Sequence, residues 1–299
     1  MKDIVVMYHY IGDKENFKGS VPLEEKDFEN QIELLSKYYE IVLPEEYNKN
    51  TSKPKCILSF DDATKDQYIN AFRIMQKKGV PGYFTVMSGP LEDKIIPIFH
   101  LVHIVLSNYS DKEIFEMLMS KFHIENIHER SSYYSYEQDI FRRYNKYILN
   151  FILSEKESRL ILEKLVIEKF GNLDTIINNY YMSINDLIKI KNAGMTIGVH
   201  CVNHLAYNGD PLSFYNLEIE PCKRFIYEKL HINPIWYTPA FGGGDQKQLM
   251  KEQLEYLLRV NNFKGVFTTN KGFNNGLADY WINRVDCNDK HFFENLRWK

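Results

Sequence analysis

Short apolar segments alternate with amphipathic, helix-like segments along most of this chain of 299 residues. Glycine and proline stand at the joints, as Gly79 and Pro81 do between a predicted helix over 64–78 and the next strand. Strands that alternate with helices in this way form parallel sheets with the helices packed outside. About seven strand–helix units predict an α/β fold, a distorted (β/α) barrel, with strands at 3–8, 40–43, 55–60, 82–87, 195–200, 235–237, 265–269 and 280–285.

The segment 94–180 interrupts this rhythm because it holds no convincing strand. Apolar spacing predicts helices within it at 112–121, 136–153 and 155–170. We therefore expect one domain over 1–299, a barrel that carries a helical insertion at 94–180. The insertion would cover the mouth of the barrel or form an oligomer contact, and the oligomeric state itself stays open.

Polar residues gather at the carboxyl ends of four predicted strands. They are His9, the pair Asp61 and Asp62, the pair His200 and His204, and the loop 239–245. In a parallel barrel these strand ends lie on one face, where such barrels carry their chemistry. The placement predicts that the four groups meet.

The apolar segment 56–60 ends in two adjacent acids, Asp61 and Asp62. Two neighbouring carboxylates repel each other and are costly to bury unless a cation or hydrogen-bond donors neutralise them. Asp62 could instead cap the helix that follows, which is a common role for aspartate. Both interpretations are compatible with these residues alone.

The segment 200–204 places His200 and His204 four residues apart. On a helical turn that spacing puts two imidazoles on one side, close enough to bind one cation. Histidines are also common as surface or core residues, so the spacing alone is a weak indication. A carboxylate from another strand end would complete a two-histidine, one-carboxylate metal site, and a second carboxylate would be left to accept a proton.

These motifs resemble those of the polysaccharide deacetylases, the carbohydrate esterase group with NodB homology. The family's Phe-Asp-Asp-Gly motif corresponds to 60–63, which reads Phe-Asp-Asp-Ala here. Its His-Ser/Thr-x-x-His motif corresponds to 200–204, which reads His-Cys-Val-Asn-His and follows Gly-Met-Thr-Ile-Gly-Val. The early Met-Tyr-His at 7–9 resembles a subgroup that acts on exopolysaccharides or surface glycans. The resemblance covers roughly 1–90 and 180–285 and leaves the insertion outside.

The resemblance implies a role for each residue that matches these two motifs. Asp61 would be the general base of a hydrolase. Asp62, His200 and His204 would bind the metal, usually zinc, with Co2+ or Ni2+ as other divalent ions of the same kind.

Two further matches lie later in the chain. The segment 238–242 resembles the family's third motif, which implies that the backbone N–H of Phe241 helps to hold the oxyanion. Arg284, in the last predicted strand, resembles the subgroup's late arginine that orients the base aspartate. The alternative for Arg284 is an ordinary surface arginine.

Several positions depart from the family's pattern. Ala63 stands in place of glycine, Cys201 in place of a hydroxyl residue, and Thr238 where many members have arginine. The late histidine that serves many members as general acid has no clear match, since His291 lies in the tail of the chain. His9 is the better candidate for the acid, and its alternative role is that of a core histidine with satisfied hydrogen bonds.

The implied reaction is metal-dependent hydrolysis of an N-acyl group, in the first place N-acetyl, on an amino sugar of a polysaccharide, glycan or glycan precursor. Two other functions stay open at this point. The departures from the motifs would suit a glycan-binding protein with a degenerate site. Relatives of this fold also hydrolyse non-sugar amides or imides.

Composition bears on the kind of partner that the chain binds and on its location in the cell. The net charge is −3, and this charge balance gives no indication of a nucleic-acid partner, which would usually require a basic face. The apolar segment at the start is too short for a signal peptide, and no apolar run reaches the roughly 18 residues of a membrane span. Four scattered cysteines without metal-binding spacing suit reduced thiols. We expect a cytoplasmic enzyme whose partner is an N-acylated amino sugar or glycan.

Overall fold

A computed structural model describes residues 2–275 and 279–297 of this chain. The chain divides into two compact units, which we call the barrel unit and the helical unit. The barrel unit comprises Met1–Gly12, Pro22–Ile95 and Asn178–Lys299, and the helical unit comprises Asp13–Val21 and Ile96–Ile177.

The barrel unit contains a closed ring of seven parallel strands. The strands of the unit are β1 (Ile4–Tyr8), β2 (Glu40–Ile41), β3 (Lys55–Phe60), β4 (Tyr83–Met87), β5 (Thr196–Cys201), β6 (Trp236–Tyr237), β7 (Gly265–Lys271) and β8 (Trp281–Asp286). The ring runs β1-β3-β4-β5-β6-β7-β8 and closes because β1 pairs with both β3 and β8, while β2 pairs with the start of β3. The predicted distorted (β/α) barrel of about seven strands is confirmed.

Side chains along the strands alternate between the barrel interior and the surrounding helices, as a period of two requires. Val5 and Ile57 are paired across β1 and β3, and both belong to a small buried cluster with Tyr83, Trp236 and Phe267. The intervening strand residues pack in a larger apolar cluster that they share with the helices. On each strand, the inward-facing residues that come after this small cluster in the sequence therefore lie at the carboxyl ends of the strands, where the barrel opens. We call this opening the mouth of the barrel.

Helices supply the outer layer of the barrel unit and the regular structure of the helical unit. In chain order they are α1 (Glu25–Tyr38), α2 (Arg73–Lys78), α3 (Gly89–Glu92), α4 (Ile98–Asn108), α5 (Asp111–Lys121), α6 (Ile127–Arg130), α7 (Ile140–Tyr147), α8 (Glu155–Phe170), α9 (Leu173–Tyr180), α10 (Ile184–Asn192), α11 (Pro211–Phe214), α12 (Glu220–Leu230), α13 (Lys247–Val260) and α14 (Lys290–Arg297). None of the helices within 2–275 and 279–297 combines the length and the apolar character that a membrane span requires.

Several helical segments depart from α-helical geometry. The π-helical ones are Gln67–Phe72, which continues into α2, Ile148–Ile152 after α7, and Tyr215–Ile219 between α11 and α12. The 3₁₀ segments are Pro44–Glu46, Ser131–Tyr134 and Ala240–Gln246. The helix predicted over 64–78 is present, but its first part is π-helical, which a pattern based on 3.6 residues per turn does not reveal.

Polar contacts hold the helical unit together. Arg142 in α7 donates to the Asp111 carboxylate of α5 at 2.8 Å. The backbone N–H of Gly19 donates to the Ser107 hydroxyl of α4 at 2.9 Å, which ties the segment 13–21 to this unit. The assignment of 94–180 as an insertion within one domain over 1–299 stays a prediction.

Candidate active site

Asp61 and Asp62 follow directly after β3. Asp61 continues the inward-facing series of Ile57 and Ser59, whereas Asp62 adopts a left-handed backbone with φ 77°. This turn sends the two neighbouring carboxylates to different partners. It also does not fit the helix cap considered for Asp62, because an N-cap residue has an extended backbone.

Asp62, His200 and His204 come together at the mouth of the barrel. Asp62 Oδ1 is 3.0 Å from His200 Nε2 and 3.6 Å from His204 Nε2. One ligand atom from each residue lies within 4.8 Å of the others, and all three side chains are buried. A carboxylate with two imidazoles is a common donor set for a divalent metal with open coordination positions.

A hydrogen bond fixes which nitrogen of His200 faces Asp62. His200 Nδ1 lies 2.6 Å from the carbonyl oxygen of Thr238, which can only accept, so Nδ1 carries the proton and donates. Nε2 is then the nitrogen that faces Asp62, and in the neutral imidazole it is the one free to bind a metal. Metal-binding histidines are commonly oriented by such a bond to a backbone carbonyl. These residues therefore fit a divalent cation.

His204 reaches this group from a loop rather than from a helical turn. His200 lies within β5, which ends at Cys201. His204 has a left-handed backbone with φ 58°, and its ring centre lies 5.0 Å from that of His200. The four-residue spacing thus brings the imidazoles together by a turn after a strand, and the helical geometry considered from the sequence is not the one adopted.

Arg284 in β8 is a buried partner of Asp61 and not a surface residue. Its Nη1 donates to Asp61 Oδ1 at 2.8 Å and to Ser59 Oγ at 3.0 Å. Its Nε donates to the carbonyl oxygen of Thr268 at 2.7 Å. Arg284 is 2% exposed, so these bonds hold its guanidinium group, and with it the carboxylate, in one orientation.

The charges around Asp61 keep its carboxyl ionised. Burial raises the pKa of Asp61, but the charge of Arg284 lowers it. His200 and His9 act in the same direction as Arg284, and the net pKa lies below the usual value for aspartate. Burial lowers the pKa of His200, but the Asp62 and Asp61 carboxylates outweigh burial and raise it. The inner part of the site therefore favours bound positive charge.

His9 follows β1 at the rim of the site. Its Nε2 is 3.8 Å from Asp61 Oδ2, and its side chain is 40% exposed. Gln67 belongs to none of the sequence motifs, yet it is fully buried and its amide donates to the carbonyl oxygens of both His9 and Asp61. The side chain ties together the ends of β1 and β3. Its signal in the sequence is a polar residue on the apolar face of a helix that directly follows the acid pair.

Phe241 lies in the segment Ala240–Gln246, which bends through left-handed conformations that include φ 50° at Phe241 itself. Its ring centre is 4.4 Å from that of His204, and the two rings are nearly perpendicular at 84°. The side chain is 52% exposed and stands at the edge of the site. The role of its backbone N–H as an oxyanion donor stays a prediction.

The structure shows the surroundings of three positions at which the sequence departs from the family motifs. Ala63 is buried with φ 51°, a conformation that glycine adopts more readily. Cys201 is buried, and burial raises the pKa of its thiol well above the ordinary value, so a neutral thiol stands where the family has a hydroxyl residue. His291 lies in α14 beside Asn295 and is not brought to this group.

The sequence of the chain matches no protein-family model and no curated protein. The fold, in contrast, matches several solved structures. Streptococcus pyogenes deacetylase PplD, in complex with acetate, is 18% identical with a TM-score of 0.60, over 100% of this chain and 97% of that one.

Two further structures are similar to the same extent. IcaB from Ammonifex degensii is 13% identical with a TM-score of 0.60, over 99% of this chain and 96% of that one. A polysaccharide deacetylase from Bacillus cereus is 13% identical with a TM-score of 0.58, over 100% of this chain and 68% of that one. At these identities the likeness concerns the fold alone.

Proposed function

We propose that this chain, which has the fold of the polysaccharide deacetylases, is a metal-dependent hydrolase that removes an N-acyl group from an amino sugar. The observation that carries the proposal is the separation of two adjacent acids. Asp62 lies against His200 and His204, whereas Asp61 is held by Arg284. For an N-acetyl substrate, the products are acetate and the free amino sugar.

Asp62, His200 and His204 are the proposed ligands of a divalent cation, with zinc first and Co2+ or Ni2+ as alternatives. A cation bound there would supply Lewis-acid polarisation of the acyl carbonyl and favour deprotonation of the attacking water. Three protein ligands leave coordination positions open for substrate, as in catalytic rather than structural metal sites.

Asp61 is the proposed general base. Its Oδ1 is engaged by Arg284 at 2.8 Å, so Oδ2 is the atom that accepts the proton of the attacking water. Because its pKa lies below the usual value, the carboxylate is ionised throughout the neutral range. Positioned proton transfer of this kind typically contributes about 10²- to 10⁴-fold to a rate.

His9 is the proposed proton donor to the departing amine. Its ring stands at the rim of the site, 3.8 Å from Asp61 Oδ2, where a substrate can reach it. The backbone N–H of Phe241 is the proposed oxyanion donor, a role that does not depend on the identity of the side chain. Arg284 holds the base and takes no proton itself.

The test is an acetate-release assay on N-acetylated amino sugars, their oligomers and sugar nucleotides. Exhaustive chelation should abolish the release, and added zinc or cobalt should restore it. Unchanged activity after chelation would contradict the metal dependence. A chain that binds zinc but releases acetate from none of these compounds would contradict the substrate class and favour a non-sugar amide or a glycan-binding role.

The proposal also includes the substrate class and the cellular location that were expected from the sequence. The partner is an N-acylated sugar, glycan or glycan precursor, and the location is the cytoplasm. Cell fractionation followed by immunodetection of the chain checks the location, because recovery outside the cytoplasmic fraction would contradict it.

A further inference from the structure

The loop that carries His204 contains backbone groups that need partners. It leaves β5 after Cys201 and turns at His204 through φ 58°. A left-handed backbone is unfavourable for a non-glycine residue, so surrounding contacts must hold the turn in place.

One side of this loop is held by the end of β4. The backbone N–H groups of Ser88 and Gly89 donate to the carbonyl oxygens of Cys201 and Val202, each at 3.1 Å. The space between the two segments is tight, because a Cβ on Gly89 would lie 2.4 Å from the Val202 carbonyl oxygen. These bonds satisfy the carbonyl groups of Cys201 and Val202, and the N–H groups of the loop have other partners.

The other side of the loop is held by Glu218, which is fully buried. The backbone N–H of Asn203 is 3.0 Å from Glu218 Oε2 and 3.2 Å from Oε1, and the backbone N–H of Leu205 is 3.3 Å from Oε2. The Asn203 side-chain amide is 3.3 Å from Oε1. The carboxylate therefore accepts hydrogen bonds from the residues immediately before and after His204.

Glu218 owes its position to an irregular helix. It lies in the π-helical segment Tyr215–Ile219, between α11 and α12. A π-helical turn holds more residues than an α-helical turn, so it changes which side chain faces inward. Such turns are frequent at functional sites, and here the turn presents an acid to a loop that carries a proposed metal ligand.

We infer that Glu218 is a positioning residue that fixes the 201–205 loop so that His204 can act as a metal ligand. The inference rests on the proposed metal-binding function of the site. Glu218 accepts hydrogen bonds from the backbone on both sides of His204, so its effect reaches the metal through the loop. Its loss should therefore weaken metal binding more than it slows the metal-saturated enzyme.

The test compares zinc dissociation constants, measured by competition with a chromophoric chelator, for the full-length wild type and Glu218→Gln. Glutamine keeps the shape of the side chain but places an NH2 group where one of the accepting oxygens was, so donor faces donor. We expect at least about a tenfold weaker zinc affinity, the size typical of residues that orient metal ligands. The matched control is Glu228→Gln, on the exposed part of α12, which should bind zinc as the wild type does.

A second measurement separates positioning from a general loss of structure. At saturating zinc, kcat of Glu218→Gln should lie within a few-fold of the wild type, and the cobalt-loaded variant should show an altered visible absorption spectrum. If Glu218→Gln does not fold, Glu218→Asp decides, since it keeps the charge but cannot span the 3.0 Å contact without moving the loop.

The outcomes distinguish this inference from the proposed function. Wild-type zinc affinity in a folded Glu218→Gln or Glu218→Asp variant would overturn the inference and leave the proposed function intact. A wild type that binds no zinc would overturn both. Equal losses in Glu218→Gln and Glu228→Gln would also overturn the inference, because the effect would then follow from charge alone.

Discussion

Asp61 and Asp62 are neighbours in the chain, yet they contact different residues. Asp61 stays on the inward face of β3 and meets Arg284, while Asp62 turns through φ 77° and meets His200 and His204. Left-handed conformations of non-glycine residues are rare, and they cluster at functional sites where the surrounding structure maintains them. At the scale of single residues, the proposed function depends on this one backbone turn.

Asp61→Asn tests the division between the two acids. The amide cannot accept a proton at neutral pH, so kcat should fall by about 10²- to 10⁴-fold. Zinc content, measured by elemental analysis, should stay at the wild-type level because Asp61 is not among the three proposed ligands. Near-normal turnover would show that Asp61 is not the base.

Asp66→Asn is the matched control for this substitution. Asp66 is a buried acid close by in the sequence, and its Oδ2 accepts the backbone N–H of Ile11 at 2.6 Å. An asparagine oxygen can accept the same hydrogen bond. We expect kcat to stay within about threefold of the wild-type value, a much smaller change than removal of a general base causes.

Arg284→Met tests how the base is kept ionised. Without the guanidinium, the burial of Asp61 is no longer offset by its strongest opposing charge, so the pKa of Asp61 should rise. A base with a higher pKa loses its proton at higher pH, so the acid limb of the kcat/KM profile should move to higher pH in the variant. The same depressed pKa stabilises the folded wild type at pH values above the ordinary pKa of aspartate, and this contribution is lost as the pH falls through the folded-state pKa.

The control for this profile is Arg224→Met, which removes an exposed arginine of α12 that pairs with Glu220. Its acid limb should coincide with that of the wild type. An unshifted limb in Arg284→Met would contradict the assignment of Arg284 as the residue that holds the Asp61 pKa down.

The sequence predicted those residues of the site that belong to a recognisable motif. The acid pair and the two histidines stand out because of their types and spacing. Gln67 did not stand out, since its two hydrogen bonds go to backbone carbonyls, which every residue possesses. The burial of Arg284 also needed the structure, because only the alternation within β8 places it on the inward face.

At the scale of elements, the site depends on how the end of β4 meets the loop after β5. Gly89→Ala tests this contact, because the new Cβ would lie 2.4 Å from the Val202 carbonyl oxygen. The loop must move, so zinc affinity should fall by about tenfold. Overpacking of this kind should also lower the free energy of unfolding by about 1–3 kcal/mol.

Gly79→Ala is the control for loss of stability alone. Gly79 ends α2 with φ 66°, and a Cβ there would meet nothing within 4 Å. The strained backbone should cost about 1 kcal/mol without any effect on zinc affinity. An equal loss of zinc affinity in both variants, measured by chelator competition, would contradict a specific role for the β4 end.

Elements were predicted well where periodicity is simple. The segments 55–60 and 195–200 read as short apolar strands, and they became β3 and β5 within one residue. The π-helical segments Gln67–Phe72 and Tyr215–Ile219 were not foreseen, because each contains apolar residues four apart, as an α-helical face does. The latter is the turn that carries Glu218 inward.

At the scale of the whole chain, ring closure brings distant residues into one site. The pairings of β1 with β3 and β8 bring the ends of these strands, and with them His9, Asp61 and Arg284, to the same mouth. Alternating strands and helices predicted a parallel sheet, but local patterns do not show which strands close a ring. The helical unit posed the same problem, since it includes Asp13–Val21 from the start of the chain.

The most direct test of the proposed function is a zinc titration of the metal-free chain in which bound zinc and acetate release are measured on the same sample. With an N-acetylated amino-sugar substrate, acetate release should rise in proportion to bound zinc and level off at a single zinc ion per chain. Acetate release without bound metal, or a zinc-loaded chain that releases no acetate from any N-acetylated sugar, would contradict the account.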